Sequence, residues 1–243
     1  MLLCVMPGTE TLFLDAGGVL VNPNWTRVAT HLRAHGVSVT PESLAAADPR
    51  ARRALDTPEN LRASSDGRKR WVFMELVLAQ AGVALSDRTE AALREVREYH
   101  DRENLWESVP EEVPAALGRL RRLGLRLAVV SNANGTVRAL FERLALLPLV
   151  DLVLDSQEEG VEKPDPRFFA LALSRMDARA ETTVHVGDLY EADVVGARNA
   201  GIEPVLLDRA GLYPDVDCRR VSSLLELAEW LEGRARAGRG VID

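Results

Sequence analysis

Cysteine, lysine and long apolar runs are all scarce in this chain of 243 residues. The two cysteines, Cys4 and Cys218, sit far apart with no metal-like spacing. That argues against a thiolate metal site or a disulfide framework and fits two unpaired thiols in a reducing compartment, here read as the cytoplasm. No run approaches the length needed to cross a bilayer. The opening Met1-Leu2-Leu3-Cys4-Val5-Met6-Pro7-Gly8 has neither the basic region nor the apolar core of a signal peptide. A protein that is neither exported nor membrane-anchored is expected. A basic excess is also missing: the net charge is −7, which argues against a nucleic-acid partner. Of 30 basic residues, Lys69 and Lys163 are the only lysines. In so arginine-rich a chain, a retained lysine hints at a place where a compact ammonium does what a planar guanidinium cannot. No oligomeric state can be read from these features.

What is present is the composition of a soluble globular protein, 47% apolar and 28% charged. Its organising stretch is Thr11-Leu12-Phe13-Leu14-Asp15-Ala16-Gly17-Gly18-Val19-Leu20. A short apolar run ended by an aspartate and two glycines reads as a buried strand, over residues 11–16, and a tight turn. In an open α/β sheet ligands sit at the carboxyl ends of strands, so Asp15 is placed to act on a substrate. A plain turn aspartate is the ordinary alternative.

After this strand the pattern becomes helical as far as Trp106. Helices are expected over 23–35, from Thr40-Pro41 onward with Thr40 as N-cap, over 68–80, and from Ser86-Asp87 through His100. The stripe of Trp71, Met74, Leu78 and Ala81 reads as the core of a small bundle. Beyond Trp106 helices and strands alternate. Helices are expected over 110–123, 136–147, 165–176, 188–200 and 222–231, with strands over 125–130, 150–154, 182–186 and 204–207. Such alternation implies a parallel sheet covered on both faces. The arginine- and glycine-rich tail, 234–243, reads as frayed. The expected organisation is an α/β core of residues 1–21 and 107–243 and an all-helical insert of residues 22–106. An insert leaving and re-entering at the catalytic edge is well placed to serve as a lid.

Strand ends and following loops carry the distinctive polar residues: Asp15, Ser131-Asn132, Lys163, and Asp188 with Asp193. The three aspartates make the oxygen-rich set that hard cations such as Mg²⁺ prefer. Lys163, a hydroxyl and backbone amides at Ser131-Asn132 suit the oxygens of a phosphoryl group. Taken singly, each has a commonplace role as cap, solvated lysine or helix-start carboxylate.

In this order the set resembles the haloacid-dehalogenase-like hydrolase superfamily, in the subfamily with a helical cap inserted after the first motif. The matching motifs are Phe13-Leu14-Asp15-Ala16-Gly17-Gly18-Val19-Leu20, Val129-Val130-Ser131-Asn132, Gly160-Val161-Glu162-Lys163-Pro164-Asp165-Pro166, and His185-Val186-Gly187-Asp188 with Asp193. The resemblance implies a Rossmann-like parallel sheet core and a Mg²⁺-dependent phosphatase of small phosphorylated metabolites. Asp15 is then the nucleophile that forms an aspartyl phosphate. Mg²⁺ is held by Asp15, Asp188 and the Gly17 carbonyl, with Asp193 orienting that shell. Ser131 and Lys163 stabilise the transferring group, and the amides of the Ala16–Gly18 turn and of Asn132 add donors.

Residue 17 departs from the pattern. The family's phosphatases keep an aspartate there as general acid and base, a contribution of about 10²–10⁴ in rate. Gly17 retains only its carbonyl. The resemblance therefore implies a phosphatase of low or narrowed activity, with an acyl phosphate as substrate or an acid supplied by the cap, where His31, His35 and His100 are the candidates. Two alternatives stay open: a phosphonatase or dehalogenase-like hydrolase, the former needing a cap lysine for which Lys69 is the sole candidate, and an inactive binding or regulatory member.

Overall fold

The computed structural model describes residues 8–65 and 71–239. Six parallel strands form one sheet: β1 (Thr11–Leu14), β2 (Arg126–Ser131), β3 (Leu152–Asp155), β4 (Thr183–Gly187), β5 (Glu203–Leu207) and β6 (Arg219–Val221), in the order β3-β2-β1-β4-β5-β6. All but β6 are expected from apolar runs. The three-residue β6 carries two exposed arginines and offers no such run.

Side chains of β1 alternate between the two faces, as strand geometry requires. Leu12 and Leu14 join one apolar layer with α6 (Glu112–Arg122), α7 (Val137–Arg143) and α11 (Leu224–Arg239). Phe13 joins the opposite layer with Phe168 and Phe169 of α9 (Pro166–Arg175) and Ala197 of α10 (Gly196–Asn199). The short α8 (Ser156–Glu159) follows β3. A Rossmann-like three-layer core results, as expected.

Between β1 and α6 the described chain forms α1 (Trp25–Ala34), α2 (Pro41–Leu55), α3 (Pro58–Ser65), α4 (Val72–Gln80) and α5 (Asp87–Glu103). They share an apolar core that includes Leu32, Leu44, Met74, Leu78 and Val96. The caps follow local chemistry. Thr40 accepts from the Ser43 N–H at 3.2 Å, and Ser86 and Thr89 form a reciprocal capping box. Where the chain leaves and rejoins the core, Asn22 and Ser108 exchange backbone hydrogen bonds of 2.8 and 3.0 Å, so the block's two ends lie side by side. The start of the expected 68–80 helix, Lys69 included, lies outside the described residues, as does Cys4.

Within the stretch expected to be helical, residues 58–65 form α3. Two expectations are corrected. The single helix expected over 188–200 is a π-helical turn (Tyr190–Val195) followed by α10. The wider turn carries Asp193 inward to Lys163, His185 and the Leu189 N–H. The tail expected to fray from residue 234 instead continues α11 to Arg239. Arg234 pairs with Glu203 at 2.6 Å and stacks over Trp230, which ties the last turns to β5. Among the described residues no helix is long and apolar enough to cross a membrane.

Candidate active site

The direction of chain progression reverses at β1, which lies between β2 and β4, and such a switch point opens a crevice beyond the strands' carboxyl ends. Register aligns the three ends, with Leu14 opposite both Val129 and Val186. The Asp15 N–H donates to the Val186 carbonyl at 2.9 Å, fixing the first aspartate beside β4. Ser131 closes β2 and lines the crevice, and Gly187 closes β4 immediately before Asp188.

Two glycines let the carboxylates crowd together. Gly18 has φ +79°, and a β-carbon there would lie 2.2 Å from Asp188 Oδ2. A β-carbon on Gly187 would lie 1.9 Å from the Asp193 carboxyl carbon. The Gly18 amide, expected as a donor to substrate, is instead committed to the Val21 carbonyl at 2.8 Å. Gly17 lines the crevice in the same turn.

Lys163 is at the centre of the charge network. Its ammonium lies 3.0 Å from Asp15 Oδ1 and 2.6 Å from Asp193 Oδ1. Burial works against its charge, but the two carboxylates outweigh it and hold the group above the usual lysine range. The Asn132 side chain fixes this lysine, accepting from its N–H at 2.7 Å and donating to its carbonyl at 2.8 Å. Asn132 thus spends its side chain on positioning Lys163. Asp193 also accepts from His185 at 2.9 Å and from the Leu189 N–H at 3.1 Å. Burial would raise its pKa, but Lys163 and His185 reverse the effect and hold the carboxyl well below the usual range. Burial also lowers the pKa of His185, which keeps the ring neutral and a donor to Asp193.

Asp188 is different. Its Oδ2 accepts from Arg52 Nη1 at 2.8 Å, whereas Oδ1 is buried with no hydrogen-bond partner. Burial pushes its pKa up to about 7 despite the opposing Arg52, with Asp15 and Asp193 adding to the rise. An orphaned buried carboxylate oxygen is costly, and a cation is one partner that would satisfy it. Oxygens of Asp15, Asp188 and Asp193 lie within 4.8 Å of one another, so this donor set fits a hard metal ion.

The helical block supplies the facing wall of a cleft of about 960 Å³. From α2, Arg52 reaches Asp188 while its Nε holds Asp48 at 2.5 Å, and its guanidinium lies 5.1 Å from the centre of the Phe73 ring. Its Nη2 is buried without a partner. Burial opposes its charge, but Asp48 and Asp188 more than compensate. Trp71, Phe73, His100 and Trp106 form an aromatic group, with His100 stacked on Trp71 at 5.2 Å.

Of the three candidate cap histidines, His31 and His35 instead share Glu95, each at 3.0 Å, and neither lines this cleft. His100 does line it, but burial pushes its pKa down to about 4, and its Nδ1 accepts from the Leu105 N–H at 3.1 Å. A neutral imidazole that already spends one nitrogen on the backbone is a poor proton donor at neutral pH. Sequence reasoning missed Arg52, Trp106 and Asp56. Asp56 lies just past α2 and accepts from the Tyr190 and Glu191 N–H groups and the Tyr213 hydroxyl at 2.7, 2.8 and 2.6 Å.

A family profile described as haloacid dehalogenase-like hydrolase matches residues 9–201, from before β1 to beyond α10. The chain belongs to the haloacid dehalogenase-like hydrolases. The haloacid dehalogenase-like hydrolase domain-containing protein 3 of Bos taurus is 30% identical over 192 residues, 77% of this chain and 76% of its own length. A ribulose-1,5-bisphosphate 5-phosphatase of Halopiger xanaduensis is 44% identical over 110 residues, a match that spans 42% of this chain and 46% of that relative. Among solved structures, a HAD-hydrolase of Bacillus subtilis bound to magnesium shares the fold. Its TM-score is 0.66 at 19% identity, over 93% of this chain and 99% of that one.

Proposed function

We propose that this hydrolase is a metal-dependent phosphohydrolase acting on small phosphorylated metabolites. The observation that carries the reading is the orphaned Asp188 Oδ1 beside Asp15 and Lys163, an acidic site one cation short. The phosphatase named among its relatives supports it.

In this reading the Asp15 carboxylate attacks phosphorus, and the bond between phosphorus and the leaving oxygen breaks. Lys163 draws the phosphoryl oxygens towards Asp15 and offsets their charge, and the Ser131 hydroxyl and the Asn132 backbone N–H donate to them. Asp15, Asp188 and the Gly17 carbonyl would hold Mg²⁺ directly. Asp193, saturated by Lys163, His185 and Leu189, orients the assembly from behind. When bound, the metal supplies positive charge that neutralises the phosphoryl oxygens. Water then attacks phosphorus, the bond to Asp15 breaks, and orthophosphate leaves. The helical block of residues 22–106 acts as the cap that excludes bulk water and selects the substrate.

The Arg52–Asp188 ion pair favours a second reading, a metal-free hydrolase of the dehalogenase type in which Arg52 replaces the metal's charge. One experiment separates the two. Alkyl, aryl and acyl phosphates and a 2-halo acid are offered with Mg²⁺ and with EDTA. Turnover of phosphates that EDTA abolishes is expected; release of halide unaffected by EDTA would establish the second reading instead.

A further inference from the structure

Gly17 leaves a notch in the cleft wall, and a tryptophan edge faces it. A β-carbon built at residue 17 would lie 3.2 Å from Nε1 and 3.4 Å from Cδ1 of Trp106. These are neighbouring atoms on the five-membered ring, so the indole turns its N–H edge, and not its face, towards the place where the family's acid would begin. Trp106 sits where the chain returns from the helical block to the core. Its backbone N–H donates to Asn104 Oδ1 at 2.9 Å, and its ring packs 5.0 Å from His100 and 5.8 Å from Phe73, which together fix the ring plane. Among the described residues the indole N–H has no hydrogen-bond acceptor, and Trp106 lines the cleft.

We propose that the Trp106 indole N–H donates a hydrogen bond to the leaving-group oxygen, in the place of the carboxylic acid that residue 17 lacks, and so restricts the substrate to phosphates of stabilised, planar oxyanions. The assignment rests on the phosphohydrolase reading. Indole nitrogen is a donor only and keeps its proton throughout. As the bond from Asp15 to phosphorus forms, the electron pair of the breaking P–O bond stays on the leaving oxygen. That oxygen departs as a carboxylate or phenolate with the indole hydrogen bond still in place. No proton is transferred in this step. Water then takes phosphorus from Asp15, its hydrogens leaving with orthophosphate or to solvent. An alkoxide does not leave readily by this route, whereas acyl and aryl phosphates do. Their flat leaving groups also match the aromatic wall of Trp71, Phe73 and Trp106.

The test measures kcat/KM with Mg²⁺ for substituted phenyl phosphates spanning a range of phenol acidity. Three proteins are compared: wild type, Trp106→Phe, and the full chain carrying 3-benzothienylalanine at 106, an isostere with sulfur in place of N–H. Removing one preorganised donor to a developing oxyanion costs up to about 10²–10³ in rate. Both altered chains should lose about 3-fold on the most acidic phenol, rising to about 100-fold on the least acidic, with KM little changed. The dependence on leaving-group acidity thus steepens, which a merely structural role would not produce. The isostere keeps the test decisive should the phenylalanine variant fold poorly. A loss that is uniform across the series, or no loss, overturns the assignment and leaves the phosphohydrolase reading standing. A wild type that hydrolyses none of the series with Mg²⁺ overturns that reading and this assignment together.

Discussion

Gly17 has no positive φ, and what limits it is space: a side chain there meets Trp106 at 3.2 Å, closer than ordinary contact. Gly17→Asp alone is therefore expected to lower the thermal midpoint without gaining activity on alkyl phosphates. Paired with Trp106→Leu, which vacates the notch, the same aspartate should raise kcat/KM on alkyl phosphates by about 10-fold or more, part of the usual acid–base contribution. Gly17→Asn with Trp106→Leu is the control, and an equal gain there would show that proton transfer is not what the aspartate adds. Residues at this scale were unequally legible. Asp15, Lys163 and Asp188 are readable because strand ends, glycines and the rarity of lysine single them out. Arg52 is hidden among an arginine-dominated basic set, and only the docking of α2 against Asp188 gives it a role. The Gly18 amide shows a different limit: sequence places it in the right turn but does not reveal that the Val21 carbonyl already claims it.

Helices and strands carry the site as a unit where α2 meets the π-helical turn after β4. Asp56, just beyond α2, accepts the Tyr190 and Glu191 N–H groups at the start of that turn and the Tyr213 hydroxyl. Burial raises the Asp56 pKa, and these three bonds work against that rise. Asp56→Ala leaves buried donors without an acceptor, so a loss of about 2–4 kcal/mol is expected in urea unfolding. Tyr213→Phe removes a single donor and should cost about 1 kcal/mol. Equal, negligible losses for both would mean that the clasp does not hold the helical block to the core. Elements with strong local signals were legible, including the Thr40 cap of α2, the start of α5 at Ser86-Asp87 and the apolar run of β2. The π-helical turn was not, because long-range bonds from Asp193 to Lys163 and His185 set its width, and no local propensity encodes them.

For the whole molecule, a parallel sheet with its switch point at β1 brings residues from widely separated parts of the chain to one crevice, and an inserted helical block forms the facing wall. The change from helical pattern to strand–helix alternation near Trp106 made this plan legible in the sequence. The way the block seats itself, with Arg52 on Asp188 and Trp106 over Gly17, depends on tertiary packing and was not. In the proposed reaction this crevice transfers a phosphoryl group to Asp15. Acid quenching during turnover of an aryl phosphate with Mg²⁺, followed by peptide mass analysis, tests it directly. A mass gain of one phosphoryl group on the peptide bearing Asp15, absent with EDTA and absent in Asp15→Asn, is the predicted result. Turnover with no phosphorylated Asp15 peptide, or undiminished turnover by Asp15→Asn, would show that Asp15 is not the nucleophile.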